Sequence, residues 1–257
     1  LFLGKCPAHI ILGGNWGGNW QDLVADGGAG MNRVDGSSPM LDWGERSTGR
    51  LALDDGVVCL FGFAVDVADE LIEAIAEIAA SAPFRQMQTP GGKRMSASMT
   101  NCGQSGWVTD RRGYRYVSTD PDTGRRWPEM PGAFHEVATR AAAAGGYPSF
   151  QPDVALINRY EIGARMSLHQ DRDEQDFTQP IVSVSLGLPA IFLWGGSMRS
   201  AKPRRVELRH GDVVVWGGAW RLHFHGIHPI AADEHPVTGQ LRYNLTFRRA
   251  GPGPQLR

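Results

Sequence analysis

Arg242-Tyr243-Asn244-Leu245-Thr246-Phe247-Arg248 alternates between polar and apolar side chains at every step. A period of two is the period of a strand, so Arg242, Asn244, Thr246 and Arg248 share one face and Tyr243, Leu245 and Phe247 the other. Four polar residues turned into an interior are costly to desolvate unless they meet a ligand or each other. The alternative is an edge strand whose aromatic face alone is buried. Reading outward, the segments 155–160, 181–186, 190–194, 205–209, 213–216 and 221–225 are also short and β-rich, and turn chemistry such as His210-Gly211-Asp212 separates them. Many short strands without intervening helices predict a double-sheet jelly roll. Upstream, Val57–Phe61 reads as a strand. Asp66 reads as the N-cap of a helix to about Ala80, and a second helix is expected from Pro131 to Ala144. Met95 to Thr100 and Tyr114 to Val117 are short extended pieces between the helices. The expected fold is therefore mainly β with flanking α, a double-stranded β-helix (jelly roll) with an N-terminal helical and lid-like extension.

His169-Gln170-Asp171 opens an Asp-rich segment, His169 to Asp176, that reads either as a solvated loop or as a strand carrying a metal site. Residues two apart share a strand face, so His169 and Asp171 reach one ion while Gln170 points away. A third ligand is offered by His223, His225 or His228, and chemistry alone leaves the choice open. Two imidazoles and one carboxylate leave the opposite face of a metal free, as in non-haem Fe(II) oxygenases. Zinc also accepts such a set. The arginine strand favours iron, because its fixed cations could hold an anionic oxoacid against the open face. Arg242 and Arg248 lie about 20 Å apart along an extended strand, so they grip opposite carboxylates of one small diacid only by leaning toward each other or if the strand bends.

A length of 257 residues with 42% apolar side chains is ample for one buried core. No apolar run approaches a membrane span, and Leu1 to Leu12 is a poor signal peptide. Cys6, Cys59 and Cys102 are odd in number and far apart, which fits a reducing cytoplasm better than disulfides or a zinc site. The net charge of −1 excludes a protein that binds polyanions over its whole surface. Its distribution is uneven. Residues 1–80 carry 4 basic and 12 acidic side chains, whereas 81–126 carry 8 basic and 3 acidic. Arg85, Lys93, Arg94, Arg111, Arg112, Arg115, Arg125 and Arg126 form that basic stretch, either a solvated loop or a face that tracks a phosphate backbone. Residues 1–44, with the tandem Gly-Gly-Asn-Trp-Gly-Gly-Asn-Trp of 13–20, are expected to be an unfolded extension, or an over-extended start with Met31 or Met40 as the natural one. Residues 45–250 are expected to form one domain, with a lid at 81–130 and the jelly-roll core at 155–250, followed by a tail at 251–257.

Several motifs resemble the AlkB family of oxidative nucleobase dealkylases. They are Asn158-Arg159-Tyr160, Ser167 to Glu174, Val182 to Gly187, His210 to Gly218, His225-Gly226-Ile227 and Arg242 to Arg248. Phe84 to Met87, Thr89 to Gly92 and Met99 to Gly103 are similar to its bacterial members. The resemblance implies Fe(II) held by His169, Asp171 and His225, the catalytic set, with His223 a neighbour and His228 structural. It implies 2-oxoglutarate held by Asn158, Tyr160, Tyr114, Arg242, Asn244 and Arg248, and dioxygen as the oxidant. Trp107, Met99, Asp173 and Arg199 match substrate contacts, with Trp107 stacking on a flipped base, His169 on its other face, and Asp173 suiting a cationic base. The implied reaction dealkylates N1-methyladenine and N3-methylcytosine in single- or double-stranded DNA, and in RNA. It decarboxylates 2-oxoglutarate to succinate and releases formaldehyde. A monomer in the cytoplasm, away from membranes, is the expected form. Lys93-Arg94 departs from the Tyr-Thr of similar proteins, which bears on backbone contacts. The other classes weighed are a jelly-roll metal oxygenase acting on a small metabolite and a non-catalytic nucleic-acid-binding module.

Overall fold

The computed structural model describes residues 48–251. The extension and tail expected at the two ends lie almost wholly outside the described residues. Thirteen strands and two α-helices follow one another in the described chain. Seven strands form one sheet in the order β1-β2-β11-β8-β13-β6-β3: β1 is Gly49–Asp54, β2 Val57–Phe61, β3 Ser98–Gly103, β6 Val154–Tyr160, β8 Ile181–Gly187, β11 Val213–Trp216 and β13 Arg242–Arg248. A second sheet has the order β10-β9-β12-β7, with β7 Met166–His169, β9 Ala190–Trp194, β10 Arg204–Leu208 and β12 His225–Ile227. Strands β4 (Gly106–Asp110) and β5 (Gly113–Val117) pair as a separate hairpin. Every pairing is antiparallel.

This mainly β, jelly-roll architecture places β13 in the middle of the large sheet, paired with β8 on one side and β6 on the other. It is no edge, and both of its faces are buried. Leu245 and Phe247 join Val182, Val184, Leu186, Ala155 and Ile157 in one apolar layer. Helices α1 (Ala68–Ser81) and α2 (Gly132–Ala144) cover that layer with Leu71, Ile75, Ile78, Phe134 and Val137. Phe134 meets Phe247 edge-on at 5.8 Å and 87°. Alternation thus sends the apolar side chains to the helices and leaves the opposite face of the same strands polar, with Ser183, Ser185, Asn158, Asn244 and Thr246 buried there.

Several local expectations need correction. Asp66 does not cap α1: a 3-10 turn over Val65–Val67 precedes the helix, whose N-cap is Val67 without a side-chain hydrogen bond. Residues 221–225 are not a strand. A 3-10 turn at Gly218–Trp220 leads through Arg221 to β12, which begins only at His225, so His223 and His225 do not share a strand face. Strands β1 and β4 add to those expected, and β3 begins later than the extended piece at Met95.

Candidate active site

His169 closes β7 and His225 opens β12, and the two residues are directly paired across these strands. Cross-strand partners project to the same side, which brings the imidazole centroids to 4.4 Å. Gly226 permits this approach, since a Cβ there would stand 2.6 Å from the Met166 carbonyl oxygen on β7. Asp171 lies just past the end of β7, and its two oxygens face the two rings. Oδ1 is 3.5 Å from His169 Nε2 and Oδ2 is 3.6 Å from His225 Nε2. The three ligand atoms fall within 4.8 Å of one another, and no other cluster of this kind occurs among the described residues.

The donor set suits a metal. His169 Nδ1 lies 2.9 Å from the Ser167 carbonyl and His225 Nδ1 lies 3.1 Å from the His223 carbonyl. A carbonyl only accepts, so each Nδ1 carries a proton, and each Nε2, which faces Asp171, is the nitrogen left to bind a metal once it is deprotonated. Burial lowers the pKa of His225, which favours its neutral, ligating form. Burial would raise that of Asp171, but the Arg248 guanidinium and both imidazoles hold it well below the usual carboxylate range. His223 is engaged elsewhere, stacked on Trp194 at 5.7 Å with Nδ1 3.2 Å from the Gly195 carbonyl. His228 is exposed.

Beside the triad opens a cavity of about 750 Å³. Asn158, Tyr160, Asn244, Thr246 and Arg248 line it from the large sheet, and Met99, Trp107, Tyr114, Asp173 and Arg199 line it as well. Burial pushes the Tyr160 hydroxyl up to about 12, so it remains a donor. Arg248 Nη2 donates to Asp171 Oδ2 at 2.9 Å, while its buried Nη1 has no partner. Arg242 stands outside the cavity lining and is fully buried. Its Nη2 donates to Ser185 Oγ at 2.9 Å and its Nη1 to the Leu188 carbonyl at 3.3 Å, and its Nε has no partner. Burial pulls the Arg242 pKa down to about 10. Two buried guanidiniums with orphaned N–H groups match the carboxylates of an oxoacid. They remain at opposite ends of β13, as their spacing demands. The Asn244 amide donates to Ser183 Oγ and the Val184 carbonyl, and its oxygen accepts from Thr246.

At the mouth, Trp107 stacks on Tyr114 at 5.6 Å, and its Nε1 donates to Asp173 Oδ2 at 2.8 Å. Three further residues, for which the sequence gives no role, form a buried network of which Glu174 lines the cavity. Glu174, buried next to Asp173, accepts from Tyr116 Oη at 2.6 Å and from Arg221 Nη2 at 3.0 Å. Arg221 also donates to the Asp171 carbonyl at 2.7 Å. Glu174 lay inside a motif already singled out. Nothing in the sequence around Arg221 or Tyr116 signals a buried partner.

The fold and this site define a class. The family model described as the 2OG-Fe(II) oxygenase superfamily matches residues 56–248. "Alpha-ketoglutarate-dependent dioxygenase AlkB" of Escherichia coli (strain K12) is 58% identical over 196 residues, which covers 76% of this chain and 91% of that protein. "DNA N(6)-methyladenine demethylase ALKBH1D" of Arabidopsis thaliana is 32% identical over 223 residues, 75% of this chain and 49% of that protein. A solved structure described as "The structure of OsALKBH1" superposes with a TM-score of 0.70 at 29% identity, over 78% of this chain and all of the other. The chain belongs to the AlkB family within the 2OG-Fe(II) oxygenase superfamily. It is accordingly an Fe(II)- and 2-oxoglutarate-dependent dioxygenase, with dioxygen as the second co-substrate.

Proposed function

We propose that this enzyme removes small alkyl groups from ring nitrogens of DNA bases, and of RNA bases, with N1-methyladenine and N3-methylcytosine as substrates. The observation that carries the reading is the meeting of an indole and a carboxylate, Trp107 and Asp173, at the mouth of a cavity floored by two histidines and an aspartate. A base flipped from its stack needs an aromatic face to receive it, and Trp107 backed by Tyr114 supplies one. His169, 38% exposed, offers the opposing plane. Asp173 lies where a cationic methylated base gains from a negative charge. Met99 and Arg199 are further wall contacts, and residues 81–130 act as the lid of a single dioxygenase domain over 45–250.

His169, Asp171 and His225 hold the iron, which when bound supplies the oxidation of the N-alkyl carbon coupled to decarboxylation of 2-oxoglutarate to succinate. Arg248 and Arg242 anchor the oxoacid with Asn158, Tyr160, Asn244 and, from the lid, Tyr114. The hydroxylated methyl group then leaves as formaldehyde. Lys93, Arg94, Arg165 and Arg172 also line the opening, a cationic rim suited to a phosphate backbone. That rim favours a nucleic acid over a small metabolite. Among the described residues no helix is long and apolar enough to cross a membrane. The odd, widely spaced cysteines support the cytoplasm as the place of action.

The test is an anaerobically iron-loaded assay on oligonucleotides bearing N1-methyladenine or N3-methylcytosine, with base repair and succinate followed together. Repair matched by succinate is the expected outcome. Oxoacid turnover that neither lesion stimulates, with no repair, would transfer the site to a small-metabolite substrate. Ala at His169, Asp171 or His225 should abolish repair, whereas His223→Ala should retain it. The reverse pattern at 223 and 225 would reassign the third ligand.

A further inference from the structure

The hairpin β4–β5 stands outside both main sheets, yet one cross-strand pair ties it to the metal-bearing loop. Trp107 and Tyr116 are directly opposite in the hairpin register, so their side chains leave the same face. Trp107 Nε1 donates to Asp173 and Tyr116 Oη donates to the neighbouring Glu174. The first bond lies at the cavity mouth. The second is buried and continues inward: Glu174 Oε1 is also 3.1 Å from Arg248 Nε, and Glu174 Oε2 is held by Arg221. Arg248 Nη2 is meanwhile fixed on Asp171. The Nε contact is an ion pair without hydrogen-bond geometry and Nη2 is hydrogen-bonded, so in a rigid planar fork the two together restrain where Nη1 points. That uncommitted nitrogen belongs to a side chain lining the cavity.

We propose that Tyr116 and Glu174 are positioning residues through which the hairpin sets Arg248 for the oxoacid, so that seating of the base-receiving hairpin and co-substrate affinity are linked. The inference rests on the reading of Arg248 as an oxoacid contact. Tyr116 could have been Phe had burial against Val154 and Ala250 been its whole task. Its hydroxyl instead meets a carboxylate shared by two arginines. Without that donor, Glu174 Oε1 loses its only described tie to the hairpin, and the Nε edge of Arg248 loses its restraint from that side. Linkage is reciprocal: whatever seats the hairpin tightens the oxoacid, and the oxoacid seats the hairpin by the same factor.

Two measurements test this. The first titrates 2-oxoglutarate calorimetrically into anaerobic Fe(II)-loaded wild type, Tyr116→Phe and Arg248→Lys, with steady-state KM and kcat alongside. Tyr116→Phe should raise the Kd and KM for 2-oxoglutarate about tenfold, as for a lost hydrogen bond within a charged network, with kcat at saturation largely kept. The second follows amide hydrogen exchange of residues 106–117 in the wild type, where 2-oxoglutarate should slow exchange. An unchanged Kd in a folded Tyr116→Phe protein overturns the inference, and so does exchange at 106–117 that ignores the oxoacid. The exchange result decides alone if the variant does not fold. A weakened Arg248→Lys with an unaffected Tyr116→Phe removes only the positioning role. Both variants unaffected removes Arg248 as an oxoacid contact.

Discussion

Arg242 and Arg248 carry the same charge on one strand face but meet different surroundings, and they should respond differently to substitution. Arg248 ion-pairs with Asp171 and Glu174, and those carboxylates raise its pKa against the opposing effect of burial. Burial pulls the Arg242 pKa down against the more distant charge of Asp212, and its direct bonds are to neutral acceptors. A buried charge without a direct ion pair contributes little or negatively to folding. Arg242→Met should therefore leave the thermal midpoint of the oxoacid-free protein unchanged or raised, while weakening 2-oxoglutarate by about 2–5 kcal/mol. Arg248→Met should lower the midpoint as well, because it takes from buried Asp171 its arginine and from Glu174 one of its two. Denaturation scans with and without oxoacid check both. A large loss of stability in Arg242→Met alone would mean that its bonds to Ser185 and Leu188 are its main role. The polar face of β13 was legible because a strict period of two has one meaning. The buried Glu174–Arg221–Tyr116 network was not, because its three members come from distant segments and only tertiary packing joins them.

The element that sets the triad is the β7–β12 pair, and its spacing depends on one missing Cβ. Gly226→Ala would press a methyl group on the Met166 carbonyl, a backbone atom that cannot turn away. Overpacking of this kind costs about 1–3 kcal/mol, and the strain falls directly beside His225. The expected outcome is a modest fall in the unfolding midpoint with a much larger fall in metal affinity, read by titrating Fe(II) anaerobically. Equal metal affinity in the folded variant would show that the ligand spacing tolerates strand separation. Strands with strong alternation and β-branched content, such as Ile181–Gly187 and Val213–Trp216, could be located from the sequence closely. The segment 221–225 could not. Its mixed Arg-Leu-His-Phe-His pattern imitates a strand, but Arg221 turns inward to Asp171 and Glu174, which holds the chain in a turn until His225.

Over the whole molecule, a net charge of −1 conceals a local field of the opposite sign. Lys93, Arg94, Arg165, Arg172 and Arg199 border one opening, while the acidic excess of the sequence is concentrated before residue 81. Binding that depends on this rim should weaken steeply with salt, since each neutralised phosphate releases counterions. Lys93 and Arg94 are both exposed and make no side-chain ion pair among the described residues. Removing them therefore changes the field with little effect on the fold. Lys93→Ala with Arg94→Ala should weaken a single-stranded oligonucleotide regardless of its sequence, and should flatten the log–log salt dependence by about 1.4, roughly 0.7 for each lost phosphate contact. Trp107→Ala should keep the wild-type slope and weaken the methylated oligonucleotide by about 1–3 kcal/mol, the range for loss of base–aromatic stacking. Fluorescence anisotropy across a salt series separates the two. A double variant with the wild-type slope would show that the rim faces solvent and that the phosphate path runs elsewhere on the molecule.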